Sequence, residues 1–138
     1  VRSRVGCLIE TPGLYPNLSA QENLKLKCKL FGINKKGYTE EILRKVGLSD
    51  VGKKKTKNFS LGMKQRLGIA AAVLGNPDIV VLDEPTNALD DDGKDMVKRI
   101  VKMQKERGAL VIISCHEMQT LEELSDEIIR LREGRICE

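Results

Sequence analysis

The stretch Asp78-Ile79-Val80-Val81-Leu82-Asp83-Glu84-Pro85-Thr86-Asn87-Ala88-Leu89-Asp90 decides the fold. Its first part, Asp78 to Leu82, is a continuous apolar run that predicts a strand buried on both faces of a parallel sheet, and Pro85 ends it. The strand leads directly into two carboxylates, Asp83 and Glu84. Both acids therefore stand at the carboxyl end of a buried strand, where open α/β sheets place their ligands. Successive strand residues point opposite ways. One acid can then serve a hydrated Mg²⁺ while its neighbour faces a water to be activated, the division of labour that nucleotide hydrolysis needs. An acidic loop after a core strand accounts for two acids but not for the whole ordered run to Asp90.

Helix Asp91 to Glu106 and strand Ala109 to Ser114 (ALVIIS) follow, and the second strand should lie parallel to the first and end at the same sheet edge. His116, the only histidine, comes two residues later. A lone histidine is more often structural than chemical, but here two strand ends converge beside an acidic pair. A short helix at Met118 to Leu124, a strand at Glu127 to Leu131 (EIIRL) and a tight turn within Arg132 to Ile136 complete a βαβαβ pattern. Upstream, Arg4 to Ile9 reads as a buried strand and Thr11 to Asn17 (TPGLYPN) as a loop. Three helices follow: Ser19 to Leu30, with Ser19 and Glu22 forming a capping box, then Thr39 to Val46, then Ser60 to Leu74, which Gly75, Asn76 and Pro77 end. The third opens as Asn58 to Arg66 (NFSLGMKQR). A serine N-cap, free backbone N–H groups and a glycine in the first turn make an anion site.

Composition narrows the class. The chain has 138 residues, 41% hydrophobic and 32% charged, enough for one domain with a core and unlike a disordered tail. Leu67 to Leu74, the longest nearly apolar stretch, is far shorter than the roughly 18 to 20 residues that span a bilayer. The four cysteines, Cys7, Cys28, Cys115 and Cys137, match no zinc-binding spacing and read as reduced thiols. Residues 1–66 carry 15 basic and 5 acidic side chains against 9 and 15 in residues 67–138, so a modest net charge of +4 hides a basic half. The lysines lack interleaved aromatics, at 3% of the chain, so no platform for stacking bases is visible and a solvated face is the reading.

Taken in order, these motifs resemble the nucleotide-binding domain of ABC transporters over nearly the whole chain. Phe59-Ser60-Leu61-Gly62-Met63 is similar to that family's signature motif, usually Leu-Ser-Gly-Gly-Gln, with Leu61 and Met63 in place of a Gly and the Gln. Ile79 to Asp83 resembles its Walker B strand, Glu84 the catalytic carboxylate, Ala88-Leu89-Asp90 the D-loop and His116 the switch histidine. Glu10 stands where the family's Q-loop glutamine usually sits. The resemblance implies ATP as substrate, Asp83 and Glu10 as Mg²⁺ ligands, Glu84 and His116 as catalytic residues, and Ser60, Leu61, Gly62, Met63 and Asp90 as nucleotide contacts.

It also implies a parallel-sheet P-loop NTPase core, formed by residues 1–13 and 74–138 and incomplete at its N-terminus, with a helical subdomain over 14–73. A phosphate-cradling GxxxxGK[ST] loop is expected upstream of Glu10. Gly47 to Lys53 (GLSDVGK) fits the first seven positions, but Lys54 replaces the Ser or Thr and a helix precedes it, so it reads as a solvated connector. The chain begins at Val1 and is expected to be the C-terminal part of such a domain, inactive by itself. The implied partners are a second nucleotide-binding domain, bound head to tail so that Ser60 and Gly62 reach the other copy's ATP, and a membrane-spanning subunit at the cytoplasmic face of the membrane. Around Ile9 to Leu18 and Ser60 to Arg66 the resemblance is to bacitracin and lantibiotic-immunity exporters. Two other readings stay open: a non-catalytic module that only associates, and a soluble ABC ATPase acting on nucleic acid or ribosomes.

Overall fold

The computed structural model describes residues 4–10 and 12–137; residues 1–3 and 138, assigned above to the α/β core, and Thr11, the first residue of the expected loop, lie outside the described residues. The elements are β1 (Val5–Leu8), α1 (Ala20–Leu30), α2 (Tyr38–Lys45), two short 3₁₀ turns (Ser49–Val51 and Thr56–Asn58), α3 (Leu61–Val73), β2 (Ile79–Asp83), α4 (Asp91–Glu106), β3 (Leu110–Ser114), α5 (Met118–Leu124), β4 (Arg130–Arg132) and β5 (Arg135–Cys137). Ser19 caps α1 with the expected capping box, its hydroxyl accepting from Glu22 N–H while the Glu22 carboxylate accepts from Ser19 N–H at 2.7 Å.

β1, β2 and β3 form one parallel sheet with β2 in the middle. Leu8, Val80 and Leu82 point to one face and are buried there under α3 and α4. α4 contributes Met96, Val97, Ile100 and Val101, an i, i+1, i+4, i+5 stripe that the 3.6-residue period brings to one side. α3 lies closest to the sheet because small residues face it. A Cβ on Gly6 would come within 1.7 Å of the Ala72 carbonyl oxygen, and one on Gly68 within 2.6 Å of Pro12. Only glycine fits at Gly6, in the middle of β1.

Two expectations need correction. The Asp78 to Leu82 strand is not buried on both faces: it alternates half-buried and buried, and on the second face Val5, Leu110 and Ile112 are 48–57% exposed. Among the described residues the helices pack on one side of this sheet. The segment Glu127 to Leu131 also does not extend the parallel sheet. Its ordered strand begins at Arg130 and pairs antiparallel with β5 in a separate two-stranded sheet. Glu133 and Gly134, both with positive φ, make the two-residue turn that matches strand twist.

Between β1 and β2 the regular elements among the described residues are all helical, with one isolated bridge between Ser19 and Lys55. The loop after β1 is tied down by two buried polar side chains. Asn23 accepts from Tyr15 N–H at 2.8 Å and donates to the Tyr15 and Ser19 carbonyls, and Thr56 donates to the Tyr15 carbonyl at 2.8 Å. All four cysteines are free thiols. No described helix is long and apolar enough to cross a membrane. Gly6→Ala should lower the unfolding free energy by about 3 kcal/mol, because the clash is with backbone and not with a side chain that can swing away; urea unfolding followed by circular dichroism measures it.

Candidate functional site

The site is built on the register of β2 against β3. Asp83 pairs with Ser114, the last residues of adjacent parallel strands, and the next residue, Glu84, donates its N–H to the Ser114 carbonyl at 2.9 Å. The pairing therefore carries one residue past the strand ends. It brings His116 to Glu84: the ring Nδ1 lies 3.0 and 2.9 Å from the two carboxylate oxygens. Ser114 donates its hydroxyl to Asp83 Oδ1. Glu84 thus engages the histidine while Asp83 engages the serine.

Glu84 adopts φ +46°, and Glu10 and Ala88 also have positive φ. For residues with a Cβ such backbone costs on the order of 1–3 kcal/mol and persists where surroundings over-determine it. Of the five described non-glycine residues with positive φ, these three lie in the loops after β1 and β2. Glu10 is exposed just beyond β1. β1 neighbours β2 in the sheet, so Glu10 follows the same edge as Asp83.

Ser60 caps α3, its Oγ accepting from Met63 N–H at 3.2 Å, and Ser60 and Leu61 are exposed. Gly62 faces the loop after Glu84: a Cβ there would meet the Ala88 carbonyl oxygen at 2.9 Å. The beginning of α3 and the Ala88-Leu89-Asp90 segment are therefore in contact within one chain. Asp90 caps α4 by accepting from Gly93 N–H at 2.9 Å, and it also accepts from Arg66 Nη2 at 3.0 Å. The Gly93 N–H first, and Arg66 after it, hold the Asp90 carboxyl below the usual carboxylate range. Arg66 spans further, donating from Nη1 to the Val46 carbonyl at 3.1 Å.

The residue after His116 is tied to α4. Lys94 reaches Glu117 at 3.2 Å, and Thr120 donates to the same carboxylate at 2.9 Å. Lys98 with Glu123 and Lys105 with Asp126 continue the row, so one face of α4 holds the segment after β3 by three ion pairs. Sequence reading did not single out Gln65, Arg66, Ser114 or this lysine row. Gln65 carried one usable signal, a neutral polar residue just ahead of the apolar run Leu67 to Leu74.

Among the described residues, no three His, Cys, Asp or Glu side chains form a group able to hold a metal ion. Phosphate-binding sites hold Mg²⁺ by one or two carboxylates, with the remaining positions filled by phosphate and water. Asp83, a hard oxygen donor at the open sheet edge, suits that role.

A profile of the ABC transporter family matches residues 1–87. The chain is 46% identical over 136 residues to the bacitracin transport ATP-binding protein BcrA of Bacillus licheniformis, covering 98% of this chain and 44% of that protein. To the lantibiotic transport ATP-binding protein SrtF of Streptococcus pyogenes it is 41% identical over 133 residues, covering 96% and 58%. The chain thus spans about half the length of the curated relatives it matches. Among solved structures, the ATP-binding subunit of an ABC transporter superposes with a TM-score of 0.88 at 30% identity, over 96% of this chain and 57% of that one. A dimeric ATP-binding cassette in a post-hydrolysis state with ADP and Pi gives 0.84 at 26% identity, over 98% and 61%.

The His116 imidazole is held above its ordinary pKa, chiefly by its hydrogen bond to Glu84 and then by that carboxylate's charge. The stabilisation from a raised base is full below the unfolded value of about 6.5 and is lost as pH rises through the folded value. An NMR titration of the single histidine should give a midpoint above 6.5, and Glu84→Gln should move it down towards 6.5.

Proposed function

The chain belongs to the ABC transporter family, and from that premise we propose that the intact protein binds ATP and hydrolyses it to power transport through a membrane-spanning partner subunit. The observation that carries this reading is the pairing of Glu84 with His116 at the ends of two adjacent parallel strands. The Glu84 carboxylate is the group that orients and deprotonates the attacking water. His116 donates from Nδ1 and fixes the direction of that carboxylate, leaving Nε2 exposed for the γ-phosphate. Asp83, with Glu10 on the same edge, would hold Mg²⁺, which when bound neutralises charge on the phosphates.

Ser60, Leu61, Gly62 and Met63 are proposed to meet the nucleotide of a second copy, head to tail, with Asp90 shaping the segment beside them. The exposed helix start at Ser60 and the dimeric structural relative support this. Residues 1–13 and 74–138 would then act as the α/β core and 14–73 as the helical subdomain. The bacitracin and lantibiotic relatives favour peptide antibiotics as cargo, exported or resisted, with the protein peripheral to the cytoplasmic face of the membrane.

For the membrane partner the supporting feature is a cleft of about 420 Å³ between the end of β1, the following loop and α1, lined by Leu8, Ile9, Pro12, Tyr15, Lys27 and Phe31 among others. The buried ties of Asn23 and Thr56 give this loop a fixed shape to present. A photo-crosslinker replacing Tyr15, which is 55% exposed, should capture the membrane subunit of the assembled transporter. Capture lost on dissociation would agree with the reading, and capture of soluble proteins alone would refute it.

In the intact protein, Glu84→Gln should lower ATP turnover by roughly 100-fold or more while nucleotide still binds, since shape and the Asp83 ligand remain. Phosphate release and equilibrium ATP binding measure the two separately, and unchanged turnover would remove Glu84 from the site. The 138 residues taken by themselves, which contain no GxxxxGK[ST] sequence, are proposed to show no turnover.

A further inference from the structure

We infer that Gln65 is a positioning residue that holds the backbone of Glu84 in its left-handed turn and thereby sets where the Glu84 carboxylate points. This rests on the reading of Glu84 as the group that acts on water. Gln65 is 6% exposed, on the same side of α3 as the buried Gly68, Ile69 and Ala72. A buried amide is unfavourable unless it is hydrogen-bonded, and Gln65 Nε2 donates to the Glu84 carbonyl at 3.1 Å.

That carbonyl is the point on which the geometry turns. Asn87 N–H donates to the same oxygen at 3.0 Å to close the turn, and Glu84's own N–H donates to Ser114. Those two bonds belong to the sheet edge and the turn. Gln65 supplies a third from a different element. Its neighbours extend the hold: Arg66 binds Asp90 at the far end of the segment, and Gly62 lies under the Ala88 carbonyl. One end of α3 thus grips residues 84–90 at their beginning, middle and end. Without Gln65, the strained φ at Glu84 loses one of the contacts that over-determine it, and the carboxylate can rotate away from His116.

The test uses the intact protein with Gln65→Met, which keeps length and apolar contact and removes the donor. Turnover should fall about tenfold, the scale of one lost hydrogen bond in the acting geometry, with KM for ATP and the thermal midpoint little changed. Turnover equal to the parent overturns the inference, as does a loss that appears only in KM or that vanishes when corrected for folded protein. Gln65→Glu provides a second readout. As a carboxylate it repels the Glu84 carbonyl, and as a protonated acid it can donate again. Its activity relative to the parent should therefore rise as pH is lowered from about 8 to about 6, because burial raises a carboxyl pKa; a flat ratio overturns the inference. Glu84→Gln run alongside separates the two levels: if it is inactive while Gln65→Met matches the parent, only the positioning role fails. If Glu84→Gln retains full turnover, both fail.

Discussion

Parallel pairing of β2 with β3 is the constraint on which the site depends. A one-residue slip would flip every side chain of β2, sending Val80 and Leu82 to the open face and Asp83 into the core. The register is held because Val80 and Leu82 are essentially fully buried against α3 and α4. Burying two such side chains favours the observed register by roughly 3–6 kcal/mol. Chemistry at the strand ends is therefore positioned by apolar burial one and three residues earlier.

The same packing explains why α3 serves two purposes. To lie on β1 at backbone distance it needs small residues, and Gly68, against Leu8, and Ala72, against Gly6, supply them. A helix this close to the sheet carries its first turns to the sheet's carboxyl edge. There Gly62, Gln65 and Arg66 meet the segment after Glu84. The three ion pairs between α4 and the segment after β3 work differently. They are partly exposed, each worth about 0–1 kcal/mol. Their number along one face directs how the segment after His116 lies, more than how firmly it is held.

The legible parts of the fold were those with a local physical signature. The capping box at Ser19, the N-cap at Ser60, the bounds of α4 and α5, and the strand ends at Asp83 and Ser114 all follow from neighbouring residues. So did the approach of His116 to Glu84, since both follow the carboxyl ends of two strands read as parallel and ending at the same sheet edge. Illegible from sequence were contacts between distant segments: Gly6 under Ala72, 66 positions apart, and Gln65 on Glu84, 19 apart. Nothing in a short window says that a strand glycine faces a helix backbone. The β4 strand was misplaced for a related reason. Ile128 and Ile129 look like a core strand, yet the turn at Glu133-Gly134 pairs the residues nearest to it and leaves the isoleucines outside.

Exposure at the site bears on how the chemistry is completed. His116 has a side chain 79% exposed and Glu84 35%, so water surrounds the pair on the side away from β3. In that setting the carboxylate's field is screened, whereas charge stabilisation is strong in a dry, low-dielectric enclosure. What the chain does provide is direction: a carboxylate held through its backbone by β3 and α3 and through its side chain by His116. Direction is inexpensive to build in a single chain because it follows from register. Exclusion of water needs a further surface laid over the sheet edge, and in the proposed dimer the exposed start of α3 in the other copy would supply it. Because Gln65 and Arg66 tie that helix start to the acid-bearing segment of the same chain, each copy would present its covering surface and its own carboxylate as one rigid piece.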